Sequence, residues 1–568
     1  MKRILTYLKG YKKECVLAPF FKMLEVCFEL LVPLVMADII DIGIESGDGG
    51  YIIRRVLLLV LLGVLGLSAT VVAQFFSARA ATGFSRKVKS VLFAHIGKLS
   101  YADMDKIGTP RLLQSMGGDI NQVQSGVNLT LRLFLRSPLV VFGAMIMALL
   151  IDGNAAIPFV VVIPALSLVV FGIMLATIPL YKRVRFALDR VLGRARENLN
   201  GVRVVRAFCH EEEEIADFDE ENRALTHAQQ FVGGISALMN PLTYAIVNLG
   251  IVFLIWRSAF QVNASLLTQG QVIALWNYMT QILVELVKLA NLIIVITKSV
   301  ASGNRIGAIL EIEPSLQYAD ERPVEDASAP AVVFENVTLS YEREADAALE
   351  GISFCVPRGA SVGVIGGTGS GKTSLVNLIP RFYEASEGAV FVNGCDVRRY
   401  PKGALLEKIA IVPQKAVLFS GSIRENLCWG KPGATDEECL AAIHKAQGDD
   451  ILAAKEAGLD YQIEQGGRNL SGGQRQRLTV ARALIKKAEI LILDDAASAV
   501  EYATDAALRR AIKDEACTVF TVSQRIASVR ACDLILVLDD GKLVAQGTHE
   551  ELLASSQIYR EIDESQRN

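Results

Sequence analysis

No CxxC pair occurs among the nine cysteines, and their number is odd, so neither a zinc framework nor a disulfide lattice is written into the chain. They read as reduced thiols in a cytosolic setting. The basic start MKRILTYLKGYKKE leads into an apolar stretch interrupted by Lys22, Glu25 and Glu29. No small-residue cleavage site follows, which argues against a secretory leader. No basic-aromatic patch argues for nucleic acid as a partner, and a net charge of −3 says nothing about one. No internal repeat is visible. The run EEEE at 211–214 is read as a solvated helix face.

Apolar residues, by contrast, are abundant. They make up 51% of the 568 residues, and the mean hydropathy is +0.35. Long apolar runs alternate with basic segments up to about residue 300, after which the composition is that of an ordinary globular domain. Six stretches are long enough to cross a bilayer core of roughly 20 residues. They lie near 16–40, 52–78, 133–151, 156–180, 238–260 and 271–296. The links at 41–51 and 152–154 hold no Lys or Arg, whereas 79–111 and 181–206 are rich in both. The positive-inside rule therefore places the N-terminus, both basic segments and the second half in the cytoplasm of a multi-pass protein of the cell membrane. The expected division is a transmembrane domain at 1–312, a linker at 313–330 containing Pro314, Pro323 and Pro330, and a soluble domain at 331–568.

Ionisable residues inside a span are costly and face protein or water rather than lipid. Glu25 and Glu29 lie a helical turn apart in the first span, as do Glu285 and Lys288 in the sixth, so these four are candidates for a substrate cavity. A buried pair or snorkelling toward the headgroups is the competing reading.

In the second half, SVGVIGGTGSGKTS at 361–374 places a short apolar strand before a glycine loop and a helix. Backbone N–H groups of Gly366, Gly367, Thr368, Gly369, Ser370 and Gly371 would close around phosphate at the helix start. Lys372 would reach the outer phosphates, and Thr373, followed by Ser374, would bind Mg²⁺. The strand ILILDD at 490–495 ends in Asp494 and Asp495, the first suited to a metal beside a nucleotide. Ser471, Gly472, Gly473 and Gln474 open a helix and form a second phosphate-binding feature.

Together with IVPQ at 411–414 and TVSQR at 521–525, these motifs stand in the order found in ATP-binding cassette (ABC) domains, and the chain resembles an ABC exporter half-transporter along essentially its whole length. The resemblance implies a membrane all-α domain of six transmembrane helices followed by an α/β P-loop nucleotide-binding domain. It implies ATP and Mg²⁺ as cofactors, Tyr341 stacked on adenine, and Gln414 and Asp494 as Mg²⁺ contacts beside Thr373. It also implies that Ser471–Gln474 completes the ATP site of a second subunit. The stretches 105–120 and 203–214 look like those flanking the coupling helices that press on the cassettes.

Three positions depart from the family's hydrolytic pattern. Asp495 stands where a glutamate base is usual, Gln524 where a switch histidine is usual, and Glu501 where an aspartate is expected. A base must come within about 3 Å of the attacking water, and retracting it by a methylene misplaces it by roughly 1 Å. Glutamine donates a hydrogen bond but carries no proton charge. The expectation is thus the degenerate-site subunit of a bacterial heterodimeric multidrug-type exporter. Its partner would be a half-transporter with a competent glutamate and histidine, and its cargo an amphipathic or hydrophobic small molecule. Alternatives are a siderophore or metabolite importer of the same fold, or an ATP-gated channel or scaffold. The last would call for a regulatory insertion, and none is seen. No peptidase-like domain precedes the first span, which argues against a self-processing peptide secretor.

Overall fold

The computed structural model describes residues 1–341, 346–496, 502–513 and 515–567. Residues 1–97 and 109–312 form one compact unit, and 98–108 join 313–568 in a second.

The first unit is helical. Its elements are α1 (Lys12–Asp38) and α2 (Gly49–Ile96), then, beyond a short α3 (Tyr101–Ile107) belonging to the second unit, α4 (Ile120–Leu133) and α5 (Arg136–Ile151). The long helices α6 (Ile157–Ala207), α7 (Glu211–Ala237), α8 (Met239–Asn263) and α9 (Gln269–Leu310) follow. Helix α6 has 51 residues, so at ~1.5 Å per residue it runs more than twice the ~30 Å depth of a bilayer core. Among the described residues, five helical stretches are long and apolar enough to cross a membrane, beginning at Gly49, Thr109, Ile157, Glu211 and Gln269. Helix α1, the expected first span, packs in the same bundle but carries Lys22, Glu25 and Glu29 at i, i+3 and i+7, one face of a helix.

The helical path between α4 and α5 is broken at Phe134–Leu135. Pro138 cannot donate an N–H to the carbonyl of Phe134, so the ladder lapses and restarts at Arg136. Small residues let the helices approach: Ala144, Ala148 and Ala274 are fully buried in one core with Phe159, Tyr278 and Met279. At the start of α9, the Gly270 N–H donates to Oδ1 of Asp41 at 2.7 Å. A methyl on Gly270 would overlap the Ala37 carbonyl oxygen and lie 2.8 Å from its Cα.

The second unit is built on two sheets. An antiparallel sheet has the order β2-β1-β4-β5, from β1 (Val332–Leu339), β2 (Leu349–Val356), β4 (Glu387–Val392) and β5 (Cys395–Asp396). The central sheet has the order β12-β11-β3-β10-β9-β6. Its members are β3 (Ser361–Gly366), β6 (Ile409–Val412), β9 (Ile490–Asp494), β10 (Thr518–Val522), β11 (Leu534–Asp539) and β12 (Lys542–Gly547). Strands β11, β3, β10, β9 and β6 are parallel, and β12 returns antiparallel. All five residues of β9 are buried, as a strand covered on both faces requires. Helix α10 (Lys372–Leu378) packs with both sheets in one core, and the two-residue strands β7 (Gly421–Ser422) and β8 (Gln462–Ile463) pair with each other. A separate core forms around α11 (Gly472–Leu484) and includes Leu491, Leu493, Leu508 and Ile512. Helices α12 (Tyr502–Lys513), α13 (Ile526–Val529) and α14 (Gln557–Arg567) complete the elements used below. The stretch 313–330 has no helix or strand.

Gly270→Ala must push α1 and α9 apart and is expected to cost about 1–3 kcal/mol, the usual scale for overpacking. Gly172→Ala, where an added Cβ meets nothing within 4 Å, is the control and should leave the melting temperature unchanged or slightly raised. Thermal melts of both variants in the same detergent check this.

Candidate functional site

Four carboxyl ends of adjacent parallel strands carry the candidate chemistry, at the edge where open α/β sheets bind ligands. After β3 the chain turns through Gly369 and Gly371, with φ of +84° and +92°, conformations that favour glycine. A Cβ on Gly371 would meet the Ala348 carbonyl oxygen at 2.7 Å. Gly367, Thr368 and Gly369 form the exposed tip, and Ser370 is buried beneath it. Lys372 begins α10 and donates through Nζ to the carbonyl oxygens of Gly366 at 3.0 Å and Gly367 at 2.5 Å, and to Ser370 Oγ at 3.3 Å. Burial pushes its pKa down, against the pull of Asp495 and Asp494.

The next residue, Thr373, donates its hydroxyl to Oδ1 of Asp494 at 3.0 Å. Burial pushes the Asp494 carboxyl up, opposed by that hydrogen bond, and the adjacent Asp495 charge pushes the same way as burial. A hydroxyl and one carboxylate are hard oxygen donors that fit Mg²⁺, an ion bound through few protein groups together with substrate phosphates. When bound there, Mg²⁺ neutralises phosphate charge. Gln414 is exposed two residues past Val412, whose register partner in β9 is Leu493.

Asp495 has φ +48° and donates its N–H to the Val522 carbonyl at 3.0 Å. Aspartate enters this left-handed region more readily than longer side chains. Gln524 is exposed two residues past the end of β10. Its carbonyl accepts from Nε2 of Gln566 at 2.7 Å, and Oε1 of Gln566 accepts the Ile526 N–H at 2.8 Å. One amide on α14 therefore clamps the backbone on both sides of Arg525, a contact no motif announces. Glu501 lies outside the described residues.

Tyr341 is 43% exposed, which leaves ring surface open for stacking, and its hydroxyl lies 2.8 Å from Ser374 Oγ. Its ring meets Tyr383 edge-on at 5.0 Å, and the Tyr383 hydroxyl donates to Asp105 of α3 at 2.7 Å. Residues 105–107 thus belong to the nucleotide-binding unit, whereas 203–214 cover the end of α6 and the start of α7 in the other.

Ser471, Gly472, Gly473 and Gln474 are not joined to this site by any hydrogen bond among the described residues. They form a closed cap instead: Ser471 Oγ accepts the Gln474 N–H at 3.3 Å, and Gln474 Oε1 accepts the Ser471 N–H at 3.0 Å. The start of α11 faces solvent.

In the helical unit three of the four charged candidates, Glu25, Glu29 and Glu285, meet on a residue not singled out from the sequence, Arg136, and the fourth, Lys288, joins through Glu285. Its guanidinium pairs with Glu285, with Glu29 at 2.8 Å and with Glu25 at 3.6 Å. Lys288 pairs with Glu285 at 2.8 Å, Ser137 donates to Glu285 at 2.8 Å, and Lys22 pairs with Glu25. Three cations (Lys22, Arg136, Lys288) face three anions (Glu25, Glu29, Glu285), so the cluster is neutral. Glu285 and Arg136 are buried, while the Glu29 and Lys288 side chains are 36% and 44% exposed. A lone arginine just before Pro138 in an otherwise apolar span was the available signal.

Arg136→Met is expected to destabilise the chain by ~3–5 kcal/mol, because it takes the guanidinium from buried Glu285 and unbalances the cluster. Adding Glu285→Gln should recover part of that loss, as a double-mutant cycle of detergent melts will show. At the nucleotide site, Asp494→Asn removes a charge disfavoured by burial, so the ligand-free melting temperature should hold or rise. The Mg²⁺-dependent part of the ATP-induced shift should disappear. Because burial raises the Asp494 pKa, protonation competes with Mg²⁺ at a higher pH than for an ordinary aspartate. That part of the shift should therefore fall as pH drops through the raised value and return as pH rises.

Comparison with known proteins agrees with this geometry. Residues 15–286 match the family described as "ABC transporter transmembrane region", and residues 349–498 match "ABC transporter". The "Uncharacterized ABC transporter ATP-binding protein YfiB" of Bacillus subtilis is 32% identical over 100% of this chain and 98% of its own length. The "Probable multidrug resistance ABC transporter ATP-binding/permease protein YheI" of the same organism is 35% identical over 67% of this chain and 64% of its own. A bacterial Atm1-family ABC exporter solved with ATP bound superposes with a TM-score of 0.79, at 25% identity and 98% coverage of both chains. The chain belongs to the ABC transporter family, as an exporter-type half-transporter with a multi-pass helical membrane domain and an α/β ATPase domain.

Proposed function

We propose that this chain is the degenerate-site subunit of a heterodimeric ABC exporter. It holds Mg-ATP on Lys372, Thr373, Asp494 and Gln414, with adenine on Tyr341, and hydrolyses it poorly. The observation that carries the reading is the pair at the ends of β9 and β10. Asp495 is a short carboxylate on a left-handed backbone, and Gln524 has no proton to exchange. Shortening the base by a methylene alone costs on the order of 10²-fold in rate. Every group that grips phosphate is retained.

The solvent-facing cap at Ser471–Gln474 is the half that this chain lends to its partner. There, backbone donors at a helix start meet the terminal phosphate of a nucleotide bound by the other subunit. The partner supplies a glutamate base and a switch histidine. The membrane domain carries an amphipathic or hydrophobic small molecule outward, and the names of relatives such as YheI favour multidrug-type cargo. The half-exposed ends of the Arg136 cluster, Glu29 and Lys288, face the translocation route, with Glu25 and Glu285 behind them; charged groups at that depth face protein or water. The nucleotide-binding domain and N-terminus are cytoplasmic.

Steady-state ATPase of the assembled pair tests the assignment. Gly472→Glu places a bulky charge where backbone must approach phosphate, and it should abolish turnover by the complex. Lys372→Ala should weaken nucleotide binding but leave more hydrolysis, because the partner's site keeps its own lysine and base. Asp495→Glu alone should change the rate little. Greater damage from Lys372→Ala at saturating ATP, or vigorous hydrolysis by this chain as a homodimer, would assign the working site to this chain instead.

A further inference from the structure

Behind the strand ends of the nucleotide-binding unit lies a second cavity, of ≈ 450 Å³, between the central sheet, α12 and the 527–532 segment that includes the end of α13. That volume falls in the range of small-molecule sites, ~300–1,000 Å³. Its inner wall is apolar, formed by Leu493, Ile512 and Cys532 among others, and its rim carries Arg510, Lys513 and Arg530. A fourth cation in the lining, Arg509, is already neutralised by buried Asp505 at 2.7 Å. The three rim cations have no ion-pair partner among the described residues, and none of the described lining residues is acidic. Asp533, next to Cys532, is the nearby acid: the Lys513 charge helps hold its carboxyl below the ordinary aspartate value, and it accepts the N–H and hydroxyl of Ser361 at 2.8 and 2.7 Å.

An apolar wall under a rim of three cations, with no acid among the described lining residues, matches a ligand with an apolar body and an anionic head. The walls are also the elements that leave the catalytic loops. Leu493 immediately precedes Asp494, α12 follows the segment after Asp495, and α13 begins two residues past Gln524. A ligand wedged between α12 and α13 therefore braces both loops from behind without touching nucleotide.

We propose that this cavity is a regulatory site for a small amphipathic anion, a carboxylate or phosphate monoester on an apolar chain, whose binding alters the response of the strand-end loops to ATP. Cys532 is a built-in reporter: it lines the cavity, and burial pushes its thiol pKa up to about 11, so alkylation is slow and sensitive to access.

The full-length chain in lipid nanodiscs is treated with N-ethylmaleimide, and Cys532 modification is followed by peptide mass spectrometry, with Cys517 as internal control. Octanoate and octyl phosphate are compared with octanol at equal aqueous concentration. Protection should follow 1 + [L]/Kd, roughly tenfold at ~10 times Kd, for one or both anions and not for octanol. The comparison of the two anions identifies the head group. The variant Lys513→Gln/Arg530→Gln should lose the protection ratio while keeping its own ATP-induced melting shift. In the unmodified chain that shift should change when the protecting anion is present. Equal protection by octanol, protection that survives in the double variant, or no protection at all would overturn the site. Protection with an unchanged ATP-induced shift would overturn its regulatory role.

Discussion

Parallel pairing of β3, β10, β9 and β6 is the constraint on which the nucleotide chemistry rests. Because the strands run in register, with Val522 opposite Asp494 and Val412 opposite Leu493, their carboxyl ends open at one edge of the sheet. The phosphate loop, Asp494, Asp495, Gln524 and Gln414 reach that edge from segments up to 158 residues apart, as the span from Gly366 to Gln524 shows. A parallel sheet forces each return through a crossover, so every loop at this edge is followed by its own helix. The loop after β3 is followed by α10, whose start holds Lys372 and Thr373. The loops after β9 and β10 are followed by α12 and α13, so movement of either helix is movement of a catalytic loop.

The helical unit depends on a different balance. Arg136 enters where Pro138 breaks the helical path, and it draws carboxylates from α1 and α9 onto one guanidinium. Buried ions are tolerated when each has a partner, and the six charges sum to zero. The same arrangement lets α1 carry Lys22, Glu25 and Glu29 within the bundle, because its charged face is satisfied by protein. Close packing elsewhere in the bundle comes from alanine and glycine, residues that let backbones approach where lipid gives little drive for association.

Backbone conformation bears on the placement of Asp495 as much as side-chain length does. Asp495 occupies a left-handed conformation and is tied by its N–H to β10, so its short carboxylate projects from a turn rather than from the strand. Close by, Gln566 holds both sides of Arg525 through one amide. The backbone around Gln524 is thus braced by α14, whereas Lys372 is held by the carbonyls of its own loop.

Local patterns sufficed for much of this. The glycine spacing at 366–371 encodes a loop because positive φ and close backbone approach admit little else, and the run at 490–494 encodes a doubly covered strand because no polar side chain interrupts it before Asp494. The charge asymmetry of the loops and the length of the apolar runs likewise announce a membrane half, since these depend on neighbours in the chain. Charge pairing across helices does not. Glu25, Glu29, Glu285 and Lys288 were visible as costly residues, but that the three carboxylates converge on Arg136, with Lys288 on Glu285, depends on three helices meeting at a proline break. Gln566 and the basic-rimmed cavity were equally silent, because a side-chain amide acquires meaning only from the backbone it meets, and a cavity exists only between elements once they have packed.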